Sequence, residues 1–380
     1  MENEPFFTDD ELQRYSRHIT LPEFTIEGQK RLKNASVLII GTGGLGCPTL
    51  LYLAAAGVGT IGIVDFDVVD LSNLQRQVLF TLEDIGKPKA ICAAERLAKL
   101  NPAISIIPIQ QKLTSENALN IIKDYDLVAD GSDNFPTRYL VNDACVLLNK
   151  PNVHGSIFRF EGQVSVFNFL REDGSRGPNY RDIYPTPPPP GLVQSCAEGG
   201  VLGVLPGIIG SIQASETLKV LAKIGDPLDG RLFIFDALSF ETRVMKIKKN
   251  PSQSPISSLI DYPAFCGMTD FEERKSNDLT ALELKELMEK DVKNIQLIDV
   301  RESWEYKQGN IGGISLPIGK IENHIDEISQ AGKIVLICRS GSRSQKALDQ
   351  LKKLGFENLF NLKGGLQEWV KNVDSKLTLA

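Results

Sequence analysis

Val37-Leu38-Ile39-Ile40-Gly41-Thr42-Gly43-Gly44-Leu45-Gly46 decides the fold of the first domain. Four consecutive apolar residues fit a strand buried on both faces. They run into Gly41, Gly43 and Gly46 at GxGxxG spacing, which lets backbone approach a phosphate at a helix N-terminus without a Cβ in the way. The next apolar run, Thr60 to Val64, ends at Asp65, where a carboxylate can accept hydrogen bonds from a ribose. A third unit ends in Tyr125-Asp126-Leu127-Val128-Ala129-Asp130. Strand, glycine turn, helix and strand predict parallel strands joined by right-handed crossovers, an α/β fold. Alternation in Gln163 to Phe169 and Arg231 to Phe235 predicts further, antiparallel strands. Upstream, Thr8 and Glu11 fit a capping box that opens a short helix through about His18.

The 380 residues suggest two to three domains at roughly 150 residues each. A hydrophobic content of 42% and a charged content of 24% fit globular domains and exclude wholesale disorder. The net charge of −6 argues against a nucleic-acid partner, which needs clustered cations. Six cysteines without short regular spacing do not read as a disulfide framework and fit a reducing compartment. The N-terminus lacks signal-peptide features, and the apolar stretch Gly199 to Ile212 is shorter than the roughly 20 residues of a membrane span. The expectation is a cytoplasmic protein with no membrane partner.

Pro185 to Gly191 holds five prolines, so about Gly174 to Glu198 is expected to be a long surface crossover. A second break runs from Asn250-Pro251-Ser252 through Lys275-Ser276-Asn277. From Asn277 onward there are 15 basic and 15 acidic side chains, which leaves the whole net charge of −6 with the first domain.

A redox dinucleotide would account for the glycine turn. It does not account for Asp65-Phe66-Asp67, Asn73-Leu74-Gln75-Arg76-Gln77 and Gly86-Lys87-Pro88-Lys89. A triphosphate attacked at its α-phosphorus needs cations and a divalent metal to offset developing charge. Arg76 and Lys89 supply the first, and Asp133, in Asp130-Gly131-Ser132-Asp133-Asn134, offers a hard oxygen to the second. For this first domain an NAD-dependent oxidoreductase and a non-catalytic binding scaffold are the alternatives.

Arg14-Tyr15-Ser16-Arg17-His18, the GTGGLG turn, DFDVVDLSNLQRQ from Asp65, GKPK, and GSDN before Arg138 resemble the molybdopterin-synthase and thiamine-biosynthesis adenylyltransferases, relatives of ubiquitin-activating enzymes. The resemblance spans about residues 8–267 and implies a Rossmann-like ATP-binding domain. It also implies adenylation of the C-terminal glycine of a ubiquitin-like sulfur carrier ending in Gly-Gly, with magnesium, by a homodimer. By that resemblance Gly41, Gly43, Gly44 and Asp67 belong to the nucleotide site and Asp65 holds ribose. Asn73, Arg76 and Lys89 contact phosphates, Asp133 positions magnesium, and Arg17 reaches the partner protomer's nucleotide. Cys196, in Gln194-Ser195-Cys196-Ala197-Glu198, stands where relatives form a thioester or acyl disulfide with the carrier. One departure matters. Where family members carry two CxxC pairs for a structural zinc, this chain has Pro178-Asn179-Tyr180-Arg181-Asp182 and Ser254-Pro255-Ile256-Ser257, so no zinc is expected. Cys47, Cys92 and Cys145 fall on apolar helical positions and are expected to be core residues.

After a linker at 268–277, a helical pattern from Ala281 to Glu289 and the strand Gln296-Leu297-Ile298-Asp299-Val300 open a second domain, placed at 278–376. Ile334-Val335-Leu336-Ile337 then delivers Cys338-Arg339-Ser340-Gly341-Ser342-Arg343 to a helix start. A thiolate there meets backbone N–H groups and the positive helix end, which stabilise an anion. IDVRESWEY, the CRSGSRS loop and the closing Leu362-Lys363-Gly364-Gly365 before Trp369 resemble rhodanese-type sulfurtransferases, an α/β domain whose cysteine carries a persulfide. Four residues separate Cys338 from Arg343, where related phosphatases hold five. The smaller cradle of Arg339, Ser340, Gly341, Ser342 and Arg343 suits a persulfide better than a phosphate ester. Asn310 and Gly313 depart from the usual His and Ala. A cysteine desulfurase or thiosulfate is the expected sulfur donor.

Overall fold

The computed structural model describes residues 6–188, 200–252, 254–267, 277–290, 294–329 and 332–379. The chain forms two compact units, Met1–Thr269 and Asp270–Ala380.

In the first unit, β1 (Ser36–Ile40), β2 (Thr60–Val64), β3 (Ser105–Ile109), β4 (Leu127–Asp130) and β5 (Asn152–Phe158) pair in parallel. The chain then turns back into antiparallel β6 (Glu161–Phe167), β7 (Arg231–Asp236) and β8 (Glu241–Lys246). The order is β3-β2-β1-β4-β5-β6-β7-β8, so β1 and β4 meet where the direction of winding reverses. A ligand crevice in such a sheet opens at the carboxyl ends of those two strands. Val37 and Leu38 of β1 are fully buried, which is why the run carries no polar residue. Gly41 turns with φ +86°, and a Cβ on Gly46 would fall 1.9 Å from the Gly41 carbonyl oxygen. Close packing of turn and helix therefore requires glycine there.

Helix Leu205–Ala222 lies against this centre. Gln213 donates from Nε2 to the carbonyls of Asp130 and Val153, both at 2.8 Å, fixing the ends of β4 and β5. Cys47, Cys92 and Cys145 are buried on helices, as expected. Burial pushes the Cys47 thiol up to about 12 and raises those of Cys92 and Cys145 as well.

The crossover differs from expectation in its described part. Residues 174–188 do not all lie on the surface, because Tyr180 and Arg181 are buried at 2% and 7% exposure. The Arg181 charge enters the interior because the buried Asp143 carboxylate receives it. Among the described residues, no helix is long and apolar enough to cross a membrane.

Among the described residues the second unit has five parallel strands: β9 (Asp278–Leu279), β10 (Ile295–Asp299), β11 (Ile314–Ser315), β12 (Lys333–Ile337) and β13 (Leu359–Leu362). Their order is β11-β10-β12-β13-β9. β12 is central, and its side chains alternate between two cores: Ile334 and Leu336 in one, Val335 and Ile337 in the other. Cys338 follows at its carboxyl end, continuing the first of these faces.

Candidate functional site

The cleft at the β1/β4 reversal is lined by the glycine turn, the ends of β2 and β4, and the segments that follow them. Gly41, Gly43, Gly44, Asp65, Asp67, Arg76, Lys89 and Asp133 all face it. Asp65 is buried at 8% exposure. Its Oδ2 accepts from the N–H and hydroxyl of Thr42 at 2.7 and 2.6 Å, and its Oδ1 from the Asp67 N–H at 2.8 Å. The carboxylate thus braces the glycine turn while one lone pair, on Oδ1, stays available. Lys89 is buried at 6% exposure, and its Nζ reaches the Asp67 carboxylate at 3.2 Å. A buried ammonium with one carboxylate partner on the exposed side is a prepared anion site. Arg76 donates to the Ser72 carbonyl at 2.9 Å, and Asp133 is exposed at the cleft edge.

In the second unit the Cys338 side chain is fully buried, deeper than its loop motif suggests. Its Sγ accepts from the Gly341 N–H at 3.1 Å, and the Ser344 hydroxyl stands 3.2 Å from it. Gly341 adopts φ +87° at the cap of helix Ser342–Lys353, which turns its N–H inward. The loop carbonyls are tied off outward: Cys338 O accepts from Leu366 N at 2.9 Å and Arg339 O from Gln367 N at 3.0 Å. Arg343 makes a two-pronged contact with Glu305, Nη1 to Oε2 at 2.7 Å and Nη2 to Oε1 at 2.8 Å. Burial alone would raise the Glu305 carboxyl, but Arg343 and the Glu302 N–H hold it below the ordinary range. Arg339 and Ser342 are half-buried and Ser340 is exposed.

These geometries coincide with two family patterns: the ThiF family matches residues 15–256 and the rhodanese-like domain residues 280–372. The chain belongs to the ThiF family. It is 47% identical over 376 residues to the "Probable adenylyltransferase/sulfurtransferase MoeZ" of Mycobacterium tuberculosis, covering 97% of this chain and 95% of that protein. It is 54% identical over 269 residues to the "Sulfur carrier protein adenylyltransferase" of Thermus thermophilus, covering 69% of this chain and 99% of that one. The crystal structure of E. coli MccB with ATP shares the fold at TM-score 0.55 and 22% identity, over 66% of this chain and 76% of that chain.

Within the ThiF unit, two expected nucleotide residues stand outside the cleft lining. Asn73 caps a short turn, its Oδ1 accepting from the Asp70 N–H at 3.2 Å. Arg17 is exposed on helix Asp9–Ile19. Cys196 lies outside the described residues. The cleft also includes side chains assigned no role from the sequence, among them the exposed Phe66 and Lys112 and the half-buried Arg138. Arg138 donates from Nε and Nη2 to the Ser132 carbonyl, both at 3.2 Å, and so braces the loop that carries Asp133. Its position six residues beyond Ser132, on the first turns of helix Phe135–Leu147, was the available signal.

Proposed function

We propose that this chain adenylates the C-terminal glycine of a ubiquitin-like sulfur carrier ending in Gly-Gly and then loads that carboxyl with sulfur from Cys338. The observation that carries this reading is the pair of cations, Arg76 and Lys89, in the cleft of the glycine turn. Hydride transfer from a dinucleotide develops no phosphate charge for them to offset; displacement at the α-phosphorus of a triphosphate does. Residues 8–267 are assigned to adenylation, 268–277 to the linker and 278–376 to sulfur transfer.

A carboxylate oxygen of the carrier attacks the α-phosphorus of ATP, and pyrophosphate leaves with the bonding pair. Lys89 and Arg76 offset the charge that gathers on the phosphates, the Gly41–Gly44 backbone admits them closely, and Asp65 receives a ribose hydroxyl. Magnesium suits the exposed Asp133 carboxylate: among the described residues no group of three or more ligating side chains forms a cage, and this ion keeps water and phosphate ligands. When bound, it would add charge neutralisation at the phosphates. A persulfide on Cys338 then attacks the acyl carbon and AMP leaves. The resulting acyl disulfide yields the thiocarboxylate when a thiol attacks Cys338 Sγ: the S–S bond breaks, the thiocarboxylate leaves with its electron pair, and the thiol remains as a mixed disulfide on Cys338. Cys196 is proposed to hold the activated carrier covalently before that transfer; on that route AMP leaves as the Cys196 thioester forms, and the Cys338 persulfide then displaces the Cys196 thiolate. Arg17, exposed on its own chain, is assigned to the nucleotide of a second protomer in a homodimer. A cysteine desulfurase or thiosulfate supplies sulfur, the setting is cytoplasmic, and no zinc takes part.

The test is carrier-dependent exchange of pyrophosphate into ATP. Lys89→Ala or Arg76→Ala should lower it by a factor of about 100, the scale of one lost transition-state charge contact. Retained exchange in both variants sinks the adenylation reading.

A further inference from the structure

The cradle motif ends at Arg343, and the next residue, Ser344, is fully buried. Its Oγ stands 3.2 Å from Cys338 Sγ and 2.7 Å from Asn361 Oδ1. Asn361 in turn donates from Nδ2 to the Asp278 carboxylate at 3.0 Å. A carboxylate only accepts, so the amide nitrogen must face Asp278 and the amide oxygen must face Ser344. The serine hydroxyl has one proton and two acceptors beside it. It can serve the sulfur or the amide oxygen, one at a time. A hydrogen bond to an ionised acceptor is roughly twice as strong as one to a neutral acceptor. The proton therefore rests on Asn361 while the sulfur is neutral and turns to Sγ as charge develops there.

We infer that Ser344 is the hydrogen-bond donor that stabilises the Cys338 sulfur as it leaves a persulfide, with Asn361 as the acceptor its hydroxyl gives up and Asp278 orienting that amide. The inference rests on the reading of Cys338 as the sulfur carrier. In the step concerned, transfer of the outer sulfur to an acceptor such as cyanide and not the attack on the acyl carbon, the acceptor nucleophile forms a bond to the terminal sulfur of the persulfide. The S–S bond breaks, and its electron pair stays on Sγ, which becomes a thiolate held by the Gly341 N–H and the Ser344 O–H. No oxidant or reductant beyond the nucleophile is consumed. Arg343 is committed in both prongs to Glu305, so its charge acts on the sulfur from a fixed place while the Ser344 hydroxyl rotates to it. A donor that strengthens only as charge forms on the leaving sulfur favours the transition state over the loaded ground state.

The test separates loading from unloading in the full chain. The protein is incubated with thiosulfate, freed of it and weighed; one added sulfur atom on Cys338, with sulfite released, marks loading. Cyanide is then added and thiocyanate release is followed in a single turnover. Ser344→Ala is expected to load to completion and to release thiocyanate about 10- to 100-fold more slowly, the range for a lost hydrogen bond to a charged group. Ser344→Thr, which keeps the hydroxyl, should release near the wild-type rate. Asn361→Leu, which removes the competing acceptor and leaves the hydroxyl, should release no more slowly than wild type. Release from loaded Ser344→Ala at the wild-type rate overturns the inference. So does a tenfold or greater slowing in loaded Asn361→Leu, since the chain would then act as scaffold; this comparison stands even where Ser344→Ala does not load. A wild-type chain that never gains sulfur on Cys338 fails at the earlier reading instead.

Discussion

Arg181 donates from Nε and Nη2 to the two carboxylate oxygens of Asp143 at 2.8 and 2.7 Å, with both side chains buried. Tyr262 donates to the same carboxylate at 2.8 Å, and the guanidinium lies over the rings of Phe265 and Tyr139 at 4.6 and 5.1 Å. Helix Phe135–Leu147, the 178–182 segment and helix Tyr262–Phe265 are joined at this point. Removing one member of a buried ion pair leaves the other charged and unsolvated. Asp143→Ala should therefore cost about 3–5 kcal/mol of stability in the first unit, while Arg181→Met with Asp143→Leu should cost much less. Urea unfolding of the variants checks both, and equal costs would deny the pair its role.

The same contacts bear on metal dependence. Asp182 Oδ1 accepts from the Asn250 N–H at 2.7 Å, so the segment at 178–182 is tied to the approach to 254–257 by hydrogen bonding. These are the two segments where the resemblance places zinc thiolates in relatives. Treatment with a strong chelator should leave the melting temperature of the first unit unchanged, and elemental analysis should find no stoichiometric zinc. A chelator-sensitive melt, or one zinc per chain, would contradict this.

Acid should weaken the first unit through His154. Burial depresses the His154 imidazolium even though Asp130, 3.6 Å away, opposes the shift. Burial would raise the Asp130 carboxyl, but His154 and Ser132 bring it below its ordinary value. In the unfolded chain His154 takes a proton below about pH 6.5, whereas in the native state it resists until lower pH. The unfolded state then binds more protons, so stability falls as pH drops through this window, by at most about 1.4 kcal/mol per pH unit. The Asp130 contribution is lost only below about pH 4. Unfolding midpoints between pH 7.5 and 5 should slope in wild type and flatten in His154→Gln; parallel slopes would remove His154 from the account.

Arg17 and Lys89 should complement one another. If Arg17 serves the nucleotide of a second protomer, Arg17→Ala and Lys89→Ala chains each lack pyrophosphate exchange, but a mixed dimer puts both lesions in one site and leaves the other whole. Mixing should restore about one working site per mixed dimer, given a symmetric two-fold assembly. Mixtures as inactive as either parent would confine Arg17 to its own chain.

Legibility in sequence followed burial and backbone constraint. β1 and β12 were readable because central parallel strands must be apolar on both faces, and the Gly41–Gly46 turn because no other residue fits beside the Gly41 carbonyl. β9 and β11, two residues each, are too short for any periodicity to show. β8 is exposed along its whole length and has no buried face to mark it. Arg181 is a charged residue near a proline-rich segment, so its burial depends on a carboxylate 38 positions earlier that no local pattern reveals. Ser344 is one serine in a helix until the fold brings Asn361 beside it from 17 positions away. Asp65 and Lys89 were found by motif, yet the bracing of Thr42 by the first and the pairing of the second with Asp67 needed coordinates.

Gly365 offers a test of how the sulfur cradle is held. It adopts φ +60°, and a Cβ there would stand 2.4 Å from the Cys338 carbonyl oxygen and 2.6 Å from that of Arg339. Those two carbonyls are the ones bonded by Leu366 and Gln367 at the start of helix Gly365–Asn372. Gly365→Ala must push helix and loop apart, releasing the carbonyls and turning the N–H groups away from the sulfur. Thiosulfate:cyanide transfer should fall at least about tenfold, the equivalent of about 1.4 kcal/mol of transition-state stabilisation. Gly355→Ala is the matched control: φ is +88° there, but nothing lies within 4 Å of the added Cβ. It carries a similar backbone penalty, about 1–2 kcal/mol, with no contact to the cradle, so it should lower the melting temperature of the second unit and spare sulfur transfer. Carrier-dependent pyrophosphate exchange, measured on the same preparations, should not change in either variant. Equal loss of sulfur transfer in the two would mean that general destabilisation explains the effect, and the close packing of Gly365 against the Cys338 loop would have no separate role.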